Sequence, residues 1–174
     1  MHYYALVEVP EGDEPFEKRL AAVLAPHKEG VEGGSELWDW WILGGRWSGR
    51  LSGYDPYTDP VNQKRCWLCQ GTKFRNDELG KRERALNPEY TCNGCGGTGL
   101  MTVHESEFVP HAGNVAKFGA LSKEMQPHVL IANGQVVQME AWTGSEWEDT
   151  SAALTELWGE IDPDATVAVV DLHR

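Results

Sequence analysis

Cys66-Trp67-Leu68-Cys69-Gln70-Gly71-Thr72 and Cys92-Asn93-Gly94-Cys95-Gly96-Gly97-Thr98-Gly99 hold all four cysteines of a 174-residue chain, and twenty-two residues separate Cys69 from Cys92. Two CxxC hooks that use every cysteine supply the thiolates of a tetrahedral zinc site. Each hook continues into Gly-Thr, and glycine tolerates the positive φ that a tight metal knuckle requires. Four sulfur ligands leave no open coordination position, so the expected Zn2+ is structural. Its binding would contribute on the order of 10 kcal/mol to ordering a segment with almost no core of its own. A redox role suits these hooks less well, since there are two of them and neither opens a helix after a strand. Residues 61–99 are therefore expected to form a zinc-binding insert in a body made of 1–60 and 100–174.

Working outward, charge separates the insert from the body. Residues 61–100 carry Lys64, Arg65, Lys73, Arg75, Lys81, Arg82 and Arg84 against Asp77, Glu78, Glu83 and Glu89, a balance of +3; the formal total of −12 leaves −15 for the rest. An acidic body repels nucleic acid, and only residues 64–84 offer cations to a phosphate backbone. With 41% hydrophobic residues the chain can bury a core. The first residues lack the pattern of a signal peptide, and nothing approaches eighteen consecutive apolar residues. A cytoplasmic protein with no membrane contact is expected.

The body reads as α+β. Residues 2–9 form a strand with Tyr3, Ala5, Val7 and Val9 as its better core face. Phe16, Leu20, Val23 and Leu24 recur at helical spacing, with Asp13 as a candidate N-cap. Glu78 to Leu86 is a short charged helix inside the insert, and Leu100 to His104 a returning strand. Val129 to Ala132, Asn133-Gly134 and Gln135 to Ala141 make a hairpin, since Asn-Gly suits a type I′ turn. Leu154, Leu157, Trp158 and Ile161 mark a later helix, and Thr166 to Leu172 an apolar closing strand. Strand, helix, hairpin, helix, strand is the order of a ferredoxin-like sandwich, an antiparallel sheet with two helices. Residues 108–126 carry no clear pattern.

Between the first helix and the insert lies Trp38-Asp39-Trp40-Trp41-Ile42-Leu43-Gly44-Gly45-Arg46-Trp47, with four of the eight tryptophans. An indole needs room and a partner for its N–H. Trp38, Trp40, Trp41, Trp47 and Arg46 are thus candidates for a binding surface, the alternative being a packed hairpin. Asp171 and His173, two apart on the closing strand, share a face and with His2 and Arg46 are candidates for a polar site. His104 with Glu105 and Glu107 reads as a surface cluster; His27, His111 and His128 have no evident partners.

The spacing CxxCxGT…CxxCxGTG resembles half of the DnaJ-type cysteine-rich zinc finger, over residues 66–99. That family carries four CxxCxGxG repeats; here there are two, and Lys73 replaces the second glycine of the first. The resemblance implies metal ligation at Cys66, Cys69, Cys92 and Cys95. It does not imply co-chaperone activity, because the chain has no His-Pro-Asp tripeptide. The Trp38–Gly49 segment and the closing Val169-Val170-Asp171-Leu172-His173 resemble a group of small uncharacterised proteins of phages and bacterial genomes, which implies a phage or accessory setting.

No G-x-S-x-G elbow, P-loop, H-E-x-x-H or dinucleotide fingerprint is present, and an enzyme is the less favoured class. The leading expectation is an intracellular zinc-containing binding or regulatory protein that engages a protein partner, because Trp and Arg concentrate at binding hot spots. One alternative is nucleic-acid binding through the basic insert. Another is an enzyme with an anion or nucleotide site at the Gly44-Gly45-Arg46 bend.

Overall fold

The computed structural model describes residues 1–110, 112–122, 125–142 and 145–174; His111 lies outside them. The chain divides into two compact units, one of Met1–Tyr54 with Pro110–Arg174, the other Asp55–Val109. In chain order the elements are β1 (His2–Glu8), α1 (Phe16–Leu24), β2 (Trp40–Leu43), β3 (Gln63–Arg65), α2 (Glu78–Leu86), β4 (Leu100–Thr102) and β5 (Val115–Lys117). They continue with β6 (Val129–Ala132), β7 (Gln135–Gln138), β8 (Glu140–Trp142), β9 (Trp147–Asp149), α3 (Ser151–Glu160) and β10 (Thr166–His173).

The first unit is mixed α+β, built on a six-stranded sheet in the order β2-β10-β1-β6-β7, with β5 also pairing β10. β1 is antiparallel to β10 but parallel to β6, which departs from the expected antiparallel, ferredoxin-like sheet. Burial explains the choice of neighbour. All four residues of β6 are buried, whereas β7, bounded by Gln135 and Gln138, is not. The apolar strand takes the interior place beside β1, and the glutamine-flanked strand takes the edge. Asn133 and Gly134 both have positive φ, 51° and 71°, as the tight turn between β6 and β7 demands.

Both faces of the sheet are covered. Ala5, Val7 and Val9 pack with Leu20 and Leu24 of α1; Tyr4 and Leu6 pack with Leu154 and Leu157 of α3. The two helices therefore cover opposite faces. The face of β1 bearing Tyr4 and Leu6 is as buried as the one expected to meet the core. Pro15, not Asp13, precedes α1 and gives it no side-chain cap.

The second unit has little apolar interior. β3 and β4 pair antiparallel. Near them, the fully buried Asn62 donates from Nδ2 to the Pro56 carbonyl (3.0 Å) and accepts the Val109 N–H (3.0 Å). Phe108 is buried edge-on to Tyr57. Asp77 caps α2 by accepting the Gly80 N–H (3.0 Å). Among the described residues, no helix is long and apolar enough to cross a membrane.

Candidate metal centre and polar cluster

The two hooks have the same backbone. At the first, second and fourth positions after the second cysteine of each hook the left-handed φ repeats: Gln70, Gly71 and Lys73 have 54°, 78° and 69°, and Gly96, Gly97 and Gly99 have 57°, 81° and 84°. Thr72 Oγ1 donates to the Cys69 carbonyl (2.7 Å) as Thr98 Oγ1 does to that of Cys95 (2.8 Å). The hooks are also cross-linked reciprocally. The Cys66 N–H donates to the Gly99 carbonyl and the Cys92 N–H to the Lys73 carbonyl, both at 2.9 Å.

This pairing draws the four sulfurs within 4.8 Å of one another, with Cys66, Cys69 and Cys92 buried. Sγ of Cys66 lies 3.8 Å from that of Cys92, and Sγ of Cys69 lies 3.8 Å from that of Cys95. A tetrahedron with Zn–S bonds of about 2.3 Å has S···S edges of about 3.8 Å. A disulfide would need about 2.05 Å, and all four cysteines are free. The cluster can hold a metal ion, and its donor set fits zinc. Burial pushes the Cys92 thiol up to about 11. Burial opposes ionisation of Cys95 too, but the N–H groups of Gly99 and Gly97 and its cysteine neighbours bring it down to about 6.

Around this centre the cations are largely engaged. Arg75 pairs with Asp77 (2.7 Å), Lys81 with Glu78 (2.7 Å), Arg82 with Glu83 (3.4 Å) and Lys64 with Glu107 (3.9 Å), while Arg84 lies over the Phe74 ring. Residues 55–109 hold seven Lys and Arg against eight Asp and Glu, a balance of −1.

In the first unit, Asp171 is fully buried on β10, between β1 and β2. Its Oδ1 accepts from His2 Nδ1 (2.8 Å), and its Oδ2 accepts the Arg46 backbone N–H (3.1 Å) with Arg46 Nε at 3.7 Å. The Gly44-Gly45-Arg46 bend is thus an anion site whose occupant is the protein's own Asp171. The double glycine makes this approach possible: Gly45 has φ 50°, and a Cβ there would lie 2.5 Å from Asp171 Cβ. Asn114, buried in the stretch that carried no sequence pattern, braces the following loop. It accepts the Gly49 N–H (2.8 Å) and exchanges hydrogen bonds with Ser48 Oγ.

Beside Asp171, His173 Nδ1 donates to Asp39 Oδ1 (2.8 Å), and its ring stacks on Trp40 at 5.1 Å. The Asp39 carboxyl is held below its usual range, chiefly by that His173 bond. The His2 and His173 rings are 4.9 Å apart, edge to face. A carboxylate only accepts, so both histidines carry hydrogen on Nδ1, and Nε2 is the nitrogen that bears the lone pair when the ring is neutral. His128 is the reverse: its Nδ1 accepts the Tyr4 N–H (3.0 Å). Burial, then Arg50, holds His128 below its ordinary pKa, and burial does the same at His27, whose Nδ1 meets Ser35 Oγ (2.8 Å).

His2, Arg46, Trp40, Asp171 and His173 therefore come together, and the other tryptophans of the segment do not join them on one surface. Trp38 is buried against the α1 face, its indole N–H donating to the Leu24 carbonyl (3.0 Å), and Trp41 packs on the same face. Trp47 packs beside Tyr4 on the α3 face. The exposed indoles are elsewhere: Trp142 and Trp147 face each other on the β8–β9 hairpin, and Trp67 sits inside the first hook. Asp39, just before β2, is brought to His173 by the fold, its backbone N–H donating to the His173 carbonyl (2.8 Å), and nothing in the sequence signals that pairing. A cavity of about 450 Å³ is lined by His2, Tyr3, His128, Glu140 and Trp147 among others, without Arg46 or His173. No protein-family model, no curated protein and no solved structure matches the chain.

Proposed function

We propose that the chain is a small zinc-containing binding or regulatory protein that engages a protein partner, and that it serves as a phage accessory factor directed at a host protein. The observation that carries this reading is Trp67. It stands between Cys66 and Cys69 and is 68% exposed, so a turn clamped at both ends displays an indole to solvent. A large aromatic held rigid before binding loses little entropy on contact, which is the property of a hot-spot anchor. Leu86 and Leu100 of the same unit are also exposed. A closed four-thiolate site matches a holding role for the metal and not a chemical one. Phosphate binding by this unit is the weaker reading, given its −1 balance and its paired cations.

The test is capture from a host extract on the immobilised zinc-loaded chain, with Trp67→Ala and the inward-packed Trp41→Ala compared. The expected result is a partner retained by the parent chain and lost with Trp67→Ala. An unchanged capture profile for Trp67→Ala would overturn the reading.

A further inference from the structure

We infer that His2 and His173 form a second metal site, for a divalent transition-metal ion of the Zn2+ or Co2+ type, distinct from the four cysteines and independent of the binding role. Three features of the first unit carry this. Each imidazole has its Nδ1–H committed to a carboxylate at 2.8 Å, Asp171 for His2 and Asp39 for His173. That is the carboxylate–histidine arrangement which fixes ring orientation, leaves Nε2 as the ligating atom of the neutral ring and raises its basicity toward a metal. The ring spacing fits as well. An Nε2-bound imidazole places its centroid about 3.2 Å from the ion, so two such rings on a tetrahedral metal lie about 5 Å apart; His2 and His173 are 4.9 Å apart.

Charge provides the third feature. The residues outside 61–100 carry −15, and a dication is favoured in such a field. Asp171 is screened by Arg46 only at Oδ2, the oxygen that His2 does not use. Among the described residues, the cysteines are the only set of three or more metal-type ligand atoms gathered within 4.8 Å. The histidine pair therefore supplies two ligands and leaves the remaining positions to water or to a small oxygen- or nitrogen-donor ligand. Such an ion exchanges, in contrast to the enclosed one.

The experiment uses the whole chain with its cysteines already loaded with one equivalent of zinc. Co2+ is then titrated in, read by calorimetry and by visible absorption. The expected result is one further equivalent whose spectrum lacks a thiolate-to-cobalt charge-transfer band. His2→Gln and His173→Gln each abolish it, and Asp39→Asn weakens it about ten- to a hundredfold. His173 and Asp39 are partly exposed, so these variants keep the fold even if His2→Gln, which strands buried Asp171, does not. A parent chain that takes up no further equivalent overturns the inference. So does an added signal carrying the thiolate band, or one that persists in His173→Gln.

Discussion

The sheet unit and the cysteine unit solve the same problem by different means. In the first, β1 and β10 run through the middle of a sheet whose two faces are each covered by a helix and a contiguous set of buried aliphatic side chains. In the second, the cluster at the centre is the cysteines themselves, with Leu68 and Met101 packed against them. Apolar burial contributes stability in proportion to area and is spread over many residues. Ligation of a metal by the cysteines would concentrate it at four atoms. The first kind of unit loses stability by increments, and the second should lose it at a stroke.

Removing any metal that the cysteines hold is the most direct way to expose that contrast. A strong chelator, or Cys92→Ser, is expected to withdraw on the order of 10 kcal/mol from residues 55–109. Proteolysis should then cut within that segment while the sheet unit stays protected in hydrogen exchange. Protection that persists throughout 55–109 would break the comparison. Next in size is Asp171→Ala. Loss of a fully buried carboxylate whose partners are part-exposed is expected to cost about 3 kcal/mol, seen as a lower denaturant midpoint for the sheet unit with zinc retained.

A smaller effect separates the units by pH. Burial, and secondarily Arg50, lowers the His128 pKa in the fold. The unfolded chain therefore takes up its proton first, and stability present above about pH 6.5 is lost as pH falls below that value. His27 acts in the same direction. Denaturation of the sheet unit at pH 7.5 and 5.5 measures the slope, and His128→Gln, which keeps an acceptor for the Tyr4 N–H, should flatten it. The smallest effect tests the likeness of the hooks. Lys73 holds φ 69° without being glycine, a conformation that costs an L-residue about 1–2 kcal/mol. Lys73→Gly should raise the thermal midpoint of the zinc-loaded unit slightly. Gly99→Ala should lower it, since the new Cβ meets the Gly71 carbonyl oxygen at 2.8 Å.

What could be read from the sequence follows the range of the forces involved. The hooks, α2 and the Asn133-Gly134 turn depend on neighbours within a few residues, and their side-chain chemistry states them outright. The partner of β1 depends on which hairpin strand is the more apolar on both faces, a comparison across more than a hundred residues. Periodicity of two showed which side of β1 was apolar but not that Tyr4 and Leu6 on the other side also meet a helix. The polar cluster was half visible: Asp171 and His173 share a face by alternation, but Asp39 and Asn114 acquire their roles only through register and through a loop without pattern.

The reciprocal bonds between the hooks carry one more consequence. Because Cys66 is tied to Gly99 and Cys92 to Lys73, neither turn is complete until the other is present, and beyond the contacts of Arg75 and Asn76 with the hooks the intervening residues act as a tether. The closure entropy of a tether grows logarithmically, about 0.6 kcal/mol for each doubling of its length. The pair of hooks therefore behaves as a clasp indifferent to what it closes around. The exposed Asn87, Pro88 and Glu89, between α2 and the second hook, are where added residues are expected to leave the sulfur cluster and the sheet as they are.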